Sequence, residues 1–301
     1  MAEISAQLVK QLRDLTGAGM MECKKALVEA NGDFNEAQVI LRKRGLATAA
    51  KKASRSAREG IIGFHLSPAA DLAVLVEVNC ETDFVAKTDD FQKLVEEVKQ
   101  IVLEKRPATV DELKKLPSKS DPSLTVEGLL TSLIAKIGEN MAVPRFCIVE
   151  AKGVLGGYVH PGAKIVSVVD VLFTKPETKA NPAFAELVND LAMQVAAAAP
   201  QFLSRNDVSA EALAKEKEIQ RARALAEGKP EKIVDKVVEG RLGKFYSEVC
   251  LLDQPFIKDD ALSISQLLAN KSRELGDPIG IAAFVRYKVG ETASAEEAPA
   301  E

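Results

Sequence analysis

Gly60-Ile61-Ile62-Gly63, followed by Leu72-Ala73-Val74-Leu75-Val76-Glu77-Val78 and then by Phe91, Leu94 and Val95, occurs twice in this chain in altered form. A shift of 93 positions, residue 60 onto residue 153, lays it on Gly153-Val154-Leu155-Gly156, on the strand-like run of residues 165–171, and on Phe184, Leu187 and Val188. Pro68 then falls on Pro161 and Glu77 on Asp170. Each copy reads as strand, turn, strand, loop and helix, because apolar spacing changes from near-alternation to helical spacing along it. Residues 146–151 supply a further strand candidate for the first copy, and residues 281–289 one for the second. The pattern predicts an α+β core of two related subdomains, each with a small antiparallel sheet.

The two copies diverge between the second strand and the helix. The first reads Cys80-Glu81-Thr82-Asp83-Phe84-Val85-Ala86-Lys87, the second Phe173-Thr174-Lys175-Pro176-Glu177-Thr178-Lys179-Ala180. What both share is accounted for by the fold, whereas Thr82, Asp83, Phe84 and Val85 are not shared. A Phe beside an Asp at this junction is either a satellite core contact or an exposed wedge, and pattern alone leaves both open.

Upstream, residues 4–44 read as three short helices. Leu8, Leu12 and Leu15 share one apolar face, Thr16-Gly17-Ala18-Gly19 interrupts it, and Asn31-Gly32 is a helix-stop signal. Asp33 and Glu36 have the spacing of a capping box, with Ala37, Ile40 and Leu41 facing inward. Met20 and Met21 lie in the loop-to-helix turn, where soft side chains serve either as core filler or as an adaptable contact. Residues 42–58 hold Arg42, Lys43, Arg44, Lys51, Lys52, Arg55 and Arg58. They form either a nucleic-acid stripe or a solvated linker and helix end; no aromatic is interleaved for base stacking, and the chain as a whole is acidic.

Downstream, residues 209–227 and 231–249 read as two helices joined by Gly228-Lys229-Pro230. Such a hairpin, charged on most sides, is either a projecting arm that reaches a partner or a second copy, or simply a packed helix pair. The tail, residues 291–301, has no apolar anchor and reads as disordered. The domain plan is therefore residues 1–55 for the N-terminal three-helix domain and 56–152 for core subdomain 1. Residues 153–207 begin subdomain 2, 208–249 form the inserted hairpin, 250–290 complete subdomain 2 with a C-terminal helix and strand, and 291–301 are the tail.

Composition narrows the function. The 301 residues are 47% apolar and 28% charged with a net charge of -4, which describes a chain able to bury a core rather than a disordered or collagenous one. Four cysteines without a CxxC, and only His65 and His160, argue against a zinc site and favour buried reduced thiols. Gly240-Arg241-Leu242-Gly243-Lys244-Phe245 lacks the spacing and hydroxyl of a phosphate-binding loop, and there is no GxSxG. No run reaches the ~18 apolar residues of a membrane span, and no apolar leader is visible, so a cytoplasmic binding or regulatory protein without cofactor is expected.

Three long motifs carry a resemblance. They are the run Leu12-Arg13-Asp14-Leu15-Thr16-Gly17-Ala18-Gly19-Met20-Met21-Glu22-Cys23-Lys24-Lys25-Ala26-Leu27, the run Glu77-Val78-Asn79-Cys80-Glu81-Thr82-Asp83-Phe84-Val85-Ala86-Lys87, and the stretch from Val238-Glu239-Gly240-Arg241 to Gln254-Pro255-Phe256. Together they resemble the bacterial translation elongation factor Ts family, the guanine-nucleotide exchange factors of the GTPase elongation factor Tu. The resemblance implies a ubiquitin-associated-like three-helix domain, a two-part core, an inserted coiled-coil hairpin of short type and a C-terminal helix. It also implies that Thr82, Asp83, Phe84 and Val85 form the loop that helps dislodge Mg²⁺ from the partner, and that Leu12, Met20, Met21 and His160 touch that partner. The GTPase would be met in its GDP-bound and nucleotide-free states, with neither membrane nor direct nucleic-acid binding; self-association through the hairpin stays an open alternative, and the hairpin's short type argues against a large dimer interface. The rival readings are a nucleic-acid-binding protein using residues 42–58 and a general adaptor of helical partners using residues 4–44.

Overall fold

Every turn between the first three helices is set by a residue suited to it. The computed structural model describes residues 4–292, beginning with α1 (Ala6–Thr16), α2 (Met20–Glu29) and α3 (Phe34–Lys52). The Ser5 side chain accepts from Leu8 N at 3.2 Å to cap α1, which Gly17 ends at φ 66°; Asp33 accepts from Glu36 N at 2.9 Å to cap α3. Val9, Leu12, Cys23, Ala26, Leu27, Ala37 and Ile40 form the small core between the three helices. Leu15 departs from the expected face. It is 64% exposed, because the inward face of α1 runs through Val9, Leu12 and Thr16, whose hydroxyl lies 3.9 Å from Cys23 Sγ, and Leu15 lies at the edge of that face. Helix α3 also runs on to Lys52, through much of the basic stretch, and several cations there are engaged within the molecule. Arg44 pairs with Glu22 and Glu29, Arg42 donates to Ser123 O, and Arg55 lies 3.5 Å from Glu81.

The first half of the core contains β1 (Glu59–Leu66), β2 (Leu72–Cys80), α4 (Asp83–Ala86), α5 (Asp89–Lys105), α6 (Val110–Lys115), α7 (Val126–Ile137) and β3 (Met141–Glu150). The second contains β4 (Val154–Val159), β5 (Ile165–Leu172), α8 (Pro176–Lys179), α9 (Pro182–Ala198), α10 (Ala210–Ala226), α11 (Glu231–Val249), β6 (Pro255–Phe256), β7 (Asp259–Ser263), α12 (Ile264–Leu275) and β8 (Gly280–Lys288). Helices α6 and α7 fill the stretch between α5 and β3.

The duplication holds in three dimensions. The antiparallel sheets β1-β2-β3 and β4-β5-β8 have matching order, and the pairing Ile61↔Val78 recurs as Val154↔Val171. Alternation along β2 and β5 sends their side chains to two cores. Ala73 and Leu75, with Ile62, meet Leu155, Val166 and Val168 between the sheets, which lie face to face. On the outer faces Val74, Val76 and Val78 pack under α5, and Val169 and Val171 under α9. The layers therefore run helix, sheet, sheet, helix. Each buried aliphatic contributes about 1.5–3 kcal/mol relative to exposure.

The repeated glycines are close-approach positions. A Cβ on Gly60 would lie 2.1 Å from Val78 O, and one on Gly153 2.1 Å from Val171 O. A Cβ on Gly63 would meet Val95 Cγ1 at 2.9 Å, and one on Gly156 would meet Val188 Cγ1 at 2.4 Å and Val188 O at 2.8 Å. The Gly-x-x-Gly spacing thus lets one strand pass its neighbour and one helix settle on the sheet. Gly156→Ala should cost about 1–3 kcal/mol by overpacking, and more than Gly63→Ala, because its obstacle includes backbone. Urea unfolding midpoints of the two variants measure this, and equal midpoints would refute it.

The 17 residues of α10 and 19 of α11 form an antiparallel arm about 25–28 Å long at ~1.5 Å per residue. Ala224, Val234, Val238 and Leu242 form its narrow seam, and Arg241 pairs with Glu227 across it at 2.5 Å. At the C-terminus Glu291, expected as the first residue of a free tail, lies 3.5 Å from Arg145 and 3.4 Å from Arg286. Residues 293–301, the remainder of that predicted tail, lie outside the described residues. The four cysteines are free; Cys23, Cys80 and Cys250 are buried and Cys147 partly so. Among the described residues no helix is long and apolar enough to cross a membrane, and no cluster of ligating side chains could hold a metal ion.

Candidate functional site

Strand β2 ends at Cys80, and the chain reverses into α5 through a single helical turn, α4. Thr82 is extended (φ -127°, ψ 152°) and caps α4, its hydroxyl oxygen accepting from Val85 N at 3.4 Å. Thr88 closes the far side by donating to Val85 O at 2.8 Å and capping α5. Below the loop the Cys80 thiol donates to Thr82 O at 3.1 Å. Burial, reinforced by the carboxylates of Glu139 and Glu59, pushes that thiol up to about 12, so it stays protonated and able to donate.

The four loop residues divide their directions. Val85 is buried in the core under α5, while Phe84 stands outward, 78% exposed. Of the two alternatives that the sequence leaves open for Phe84, the structure has the exposed one. Asp83 is held by Lys87 Nζ at 2.7 Å, and that hydrogen bond keeps its carboxyl below the usual range. The Lys87 ammonium also lies 6.0 Å from the Phe84 ring centroid, within cation–π reach. The site therefore presents an aromatic face next to an ionised carboxylate on a firmly anchored turn.

The anchor is one the sequence does not advertise. Glu139, in the corner between α7 and β3, accepts from Thr82 N at 3.0 Å and from Thr82 Oγ1 at 2.7 Å. The second half repeats the device. Asp277, between α12 and β8, accepts from Thr174 N at 3.1 Å, Lys175 N at 2.9 Å and Thr178 Oγ1 at 2.6 Å, and also from Thr174 Oγ1. In both corners a left-handed glycine, Gly138 at φ 88° and Gly276 at φ 63°, ends the helix and is followed by the acid. That Gly-acid pair is the signal that could have found the anchors, but the inserted hairpin breaks the common offset that would align them.

The other predicted residues lie on three separate elements. His160 is exposed just after β4, its Nδ1 3.2 Å from Tyr158 Oη. Its turn reaches the first half, since Ala163 O accepts from Ile62 N at 2.9 Å and Lys164 lies 2.5 Å from Glu59. Lys164 is also near enough to Asp83 to help lower its pKa, so this turn and the Phe84 loop are neighbours. Met20 and Met21 are 51% and 63% exposed at the start of α2. They connect to the loop's far side through Lys136, whose stem lies under Gly17 and whose ammonium is 2.7 Å from Asp90 in the first turn of α5. Leu12 stands apart from this set. It is fully buried among the three helices, so in this conformation it supports the Met20 turn from inside and offers no surface to a docked partner.

Comparison with known proteins bears on the whole chain. The family model described as elongation factor Ts matches residues 81–291, from the Thr82 loop to the end of the second half. The chain belongs to the elongation factor Ts family. Elongation factor Ts of Clostridium perfringens is 50% identical over 290 residues, 96% of this chain and 93% of that protein. Those of Trichlorobacter lovleyi and Lawsonia intracellularis are 45% and 46% identical, again across 96% of this chain and over 93% and 99% of their own lengths. These matches take in the N-terminal helices as well as the core, so family membership covers Met20, Met21, the Phe84 loop and His160 alike.

Proposed function

We propose that this chain is the guanine-nucleotide exchange factor of elongation factor Tu in the cytosol, and that it releases GDP by forcing the Phe84 loop into the partner's Mg²⁺ and phosphate site. The observation that carries the reading is the 78% exposure of Phe84 on a loop whose duplicated twin bears Glu177 instead. The fold needs the turn and the anchor in both halves, but only one half needs a Phe in water.

A GTPase holds its nucleotide through backbone amides, a lysine and Mg²⁺. Mg²⁺ demands near-octahedral ligands at ~2.0–2.1 Å, so small displacements of those ligands weaken binding sharply. Phe84 wedges between elements of the partner, Asp83 disturbs the ion's surroundings, and Met20, Met21 and the His160 turn hold the partner on either side. The factor is thus a second ligand negatively coupled to GDP, each tenfold loss of nucleotide affinity requiring ~1.4 kcal/mol of coupling. Linkage makes the effect reciprocal, so GDP weakens the factor's grip equally and GTP displaces it by mass action. No covalent bond is made or broken.

The test is release of a fluorescent GDP analogue from purified elongation factor Tu in stopped flow. Added chain should accelerate release at least about tenfold, equivalent to ~1.4 kcal/mol off the barrier. Release at the intrinsic rate would remove the proposal. The nucleic-acid reading of residues 42–58 is not favoured, since Arg42, Arg44 and Arg55 already have partners within the chain.

A further inference from the structure

We infer that Glu139 is a positioning residue for exchange, holding Thr82 so that Phe84 stays outside its own core. The inference rests on the reading of Phe84 given above. Phe84 and Val85 are adjacent, one exposed and one buried. Burial of apolar surface favours drawing an unpartnered Phe inward, so the loop must be restrained against it. Two acceptor oxygens of one carboxylate meet two donors of one residue, Thr82 N at 3.0 Å and Thr82 Oγ1 at 2.7 Å. Such a pair of charge-assisted bonds fixes both the position and the orientation of the residue it holds. Thr82 in turn caps α4, so its orientation sets the direction in which Asp83 and Phe84 leave the turn.

The corner that carries Glu139 is itself fixed from the opposite side. Lys52 donates to Gly138 O, and Asn140 Nδ2 donates to Arg55 O at 2.7 Å. Asn140 N donates to Glu81 Oε1 at 2.6 Å, and Arg55 lies 3.5 Å from the same carboxylate oxygen. The loop is therefore referenced through this corner to the end of α3 and so to the helices that carry Met20 and Met21. In the second half Asp277 anchors the equivalent turn, but there Glu177 occupies the outward place, and a carboxylate stays in water without restraint. Only in the first half does the anchor oppose a hydrophobic preference.

The experiment is stimulated release of the fluorescent GDP analogue from elongation factor Tu, titrated with the full chain carrying Glu139→Ala, Glu139→Gln, Phe84→Ala, or Glu139→Ala with Phe84→Ala. Glu139→Ala should lower the maximal release rate about fivefold or more while the half-saturating concentration moves less than about twofold, the signature of an interaction used at the transition state. Glu139→Gln keeps one acceptor and should fall between the two, and it serves if the alanine variant does not fold. In the Phe84→Ala background the removal of Glu139 should have no further effect, because the restraint has nothing left to hold out. An unchanged maximal rate in Glu139→Ala overturns the inference and leaves the role of Phe84 intact. So does a fall that is equally large with and without Phe84, which would mark Glu139 as merely structural. If Phe84→Ala alone leaves release unchanged, the underlying reading fails, and Glu139 falls with it as a residue that acts through Phe84.

Discussion

On the proposed reading, Phe84→Ala should lower the maximal rate of stimulated GDP release at least about tenfold without unfolding the factor. The size follows from surface. Phe84 is 78% exposed in the free chain, so nearly its whole side chain is available for burial in the partner. Burying a Phe side chain is worth about 1.5–3 kcal/mol, and at ~1.4 kcal/mol per decade its removal spans about ten- to a hundredfold. The loss falls on the rate rather than on the affinity for nucleotide-free partner. On the proposed reading Met20, Met21 and the His160 turn would provide the remaining contacts in that complex, whereas displacement of the nucleotide would depend on the wedge. Stability should move by no more than about 0.5 kcal/mol, since an exposed side chain has little native packing to lose. Stopped-flow release across a titration, paired with urea unfolding, separates the two effects. A variant with wild-type maximal release would falsify the wedge.

The sequence conveyed the duplicated core well because the duplication is local in its chemistry. Gly63 and Gly156 each face a valine of the following helix, Val95 and Val188, and both members of each contact shift together. The strand pairing shifts with them, from Ile61↔Val78 to Val154↔Val171. The hairpin was legible for a similar reason: Val234 and Val238 are spaced on one helix face, and the turn before it carries Gly228 and Pro230. What escaped depends on distance along the chain. Glu139 and Thr82 are 57 residues apart, and no local pattern joins an acid after a helix cap to a threonine at a strand end. The direction of Phe84 escaped because a single aromatic at a strand–helix junction has no periodicity to read. Leu12 and Leu15 show the same limit within one helix. Their spacing places them near one another around the helix, yet Leu12 is fully buried and Leu15 exposed, because the inward face is centred between Val9 and Leu12 and Leu15 falls at its edge. Spacing gives the width of an apolar stripe, while packing decides where the inward face is centred within it.

Arg145→Ala should cost stability toward the lower end of the about 3–5 kcal/mol seen on breaking a buried ion pair from one side, since Glu77 is wholly buried but the Arg145 side chain is 24% exposed. Glu77 lies wholly inside the molecule on β2, and Arg145 Nε of β3 donates to it at 2.7 Å. Among the described residues Asn79 Nδ2 at 3.0 Å and Gly290 N at 2.7 Å also donate to it, and neither carries charge. The guanidinium also lies 4.0 Å over the Tyr287 ring and donates to Lys288 O at 3.1 Å, so it joins the first sheet to the last strand of the second. Its removal takes the Arg145 counter-charge from a carboxylate in the interior and unpins β8 at once. Urea unfolding read by circular dichroism measures the loss, and a change below about 1 kcal/mol would show that the pair is dispensable. Adding Glu77→Gln to Arg145→Ala should recover part of the loss, because an unpaired amide is far less costly to bury than an unpaired carboxylate. Exchange activity per folded molecule should stay near wild type, since neither residue contacts the Phe84 loop. That is the opposite signature to Phe84→Ala, and it follows from exposure: a side chain that faces water is available to a partner, while a wholly buried carboxylate and the half-buried guanidinium that holds it serve the fold.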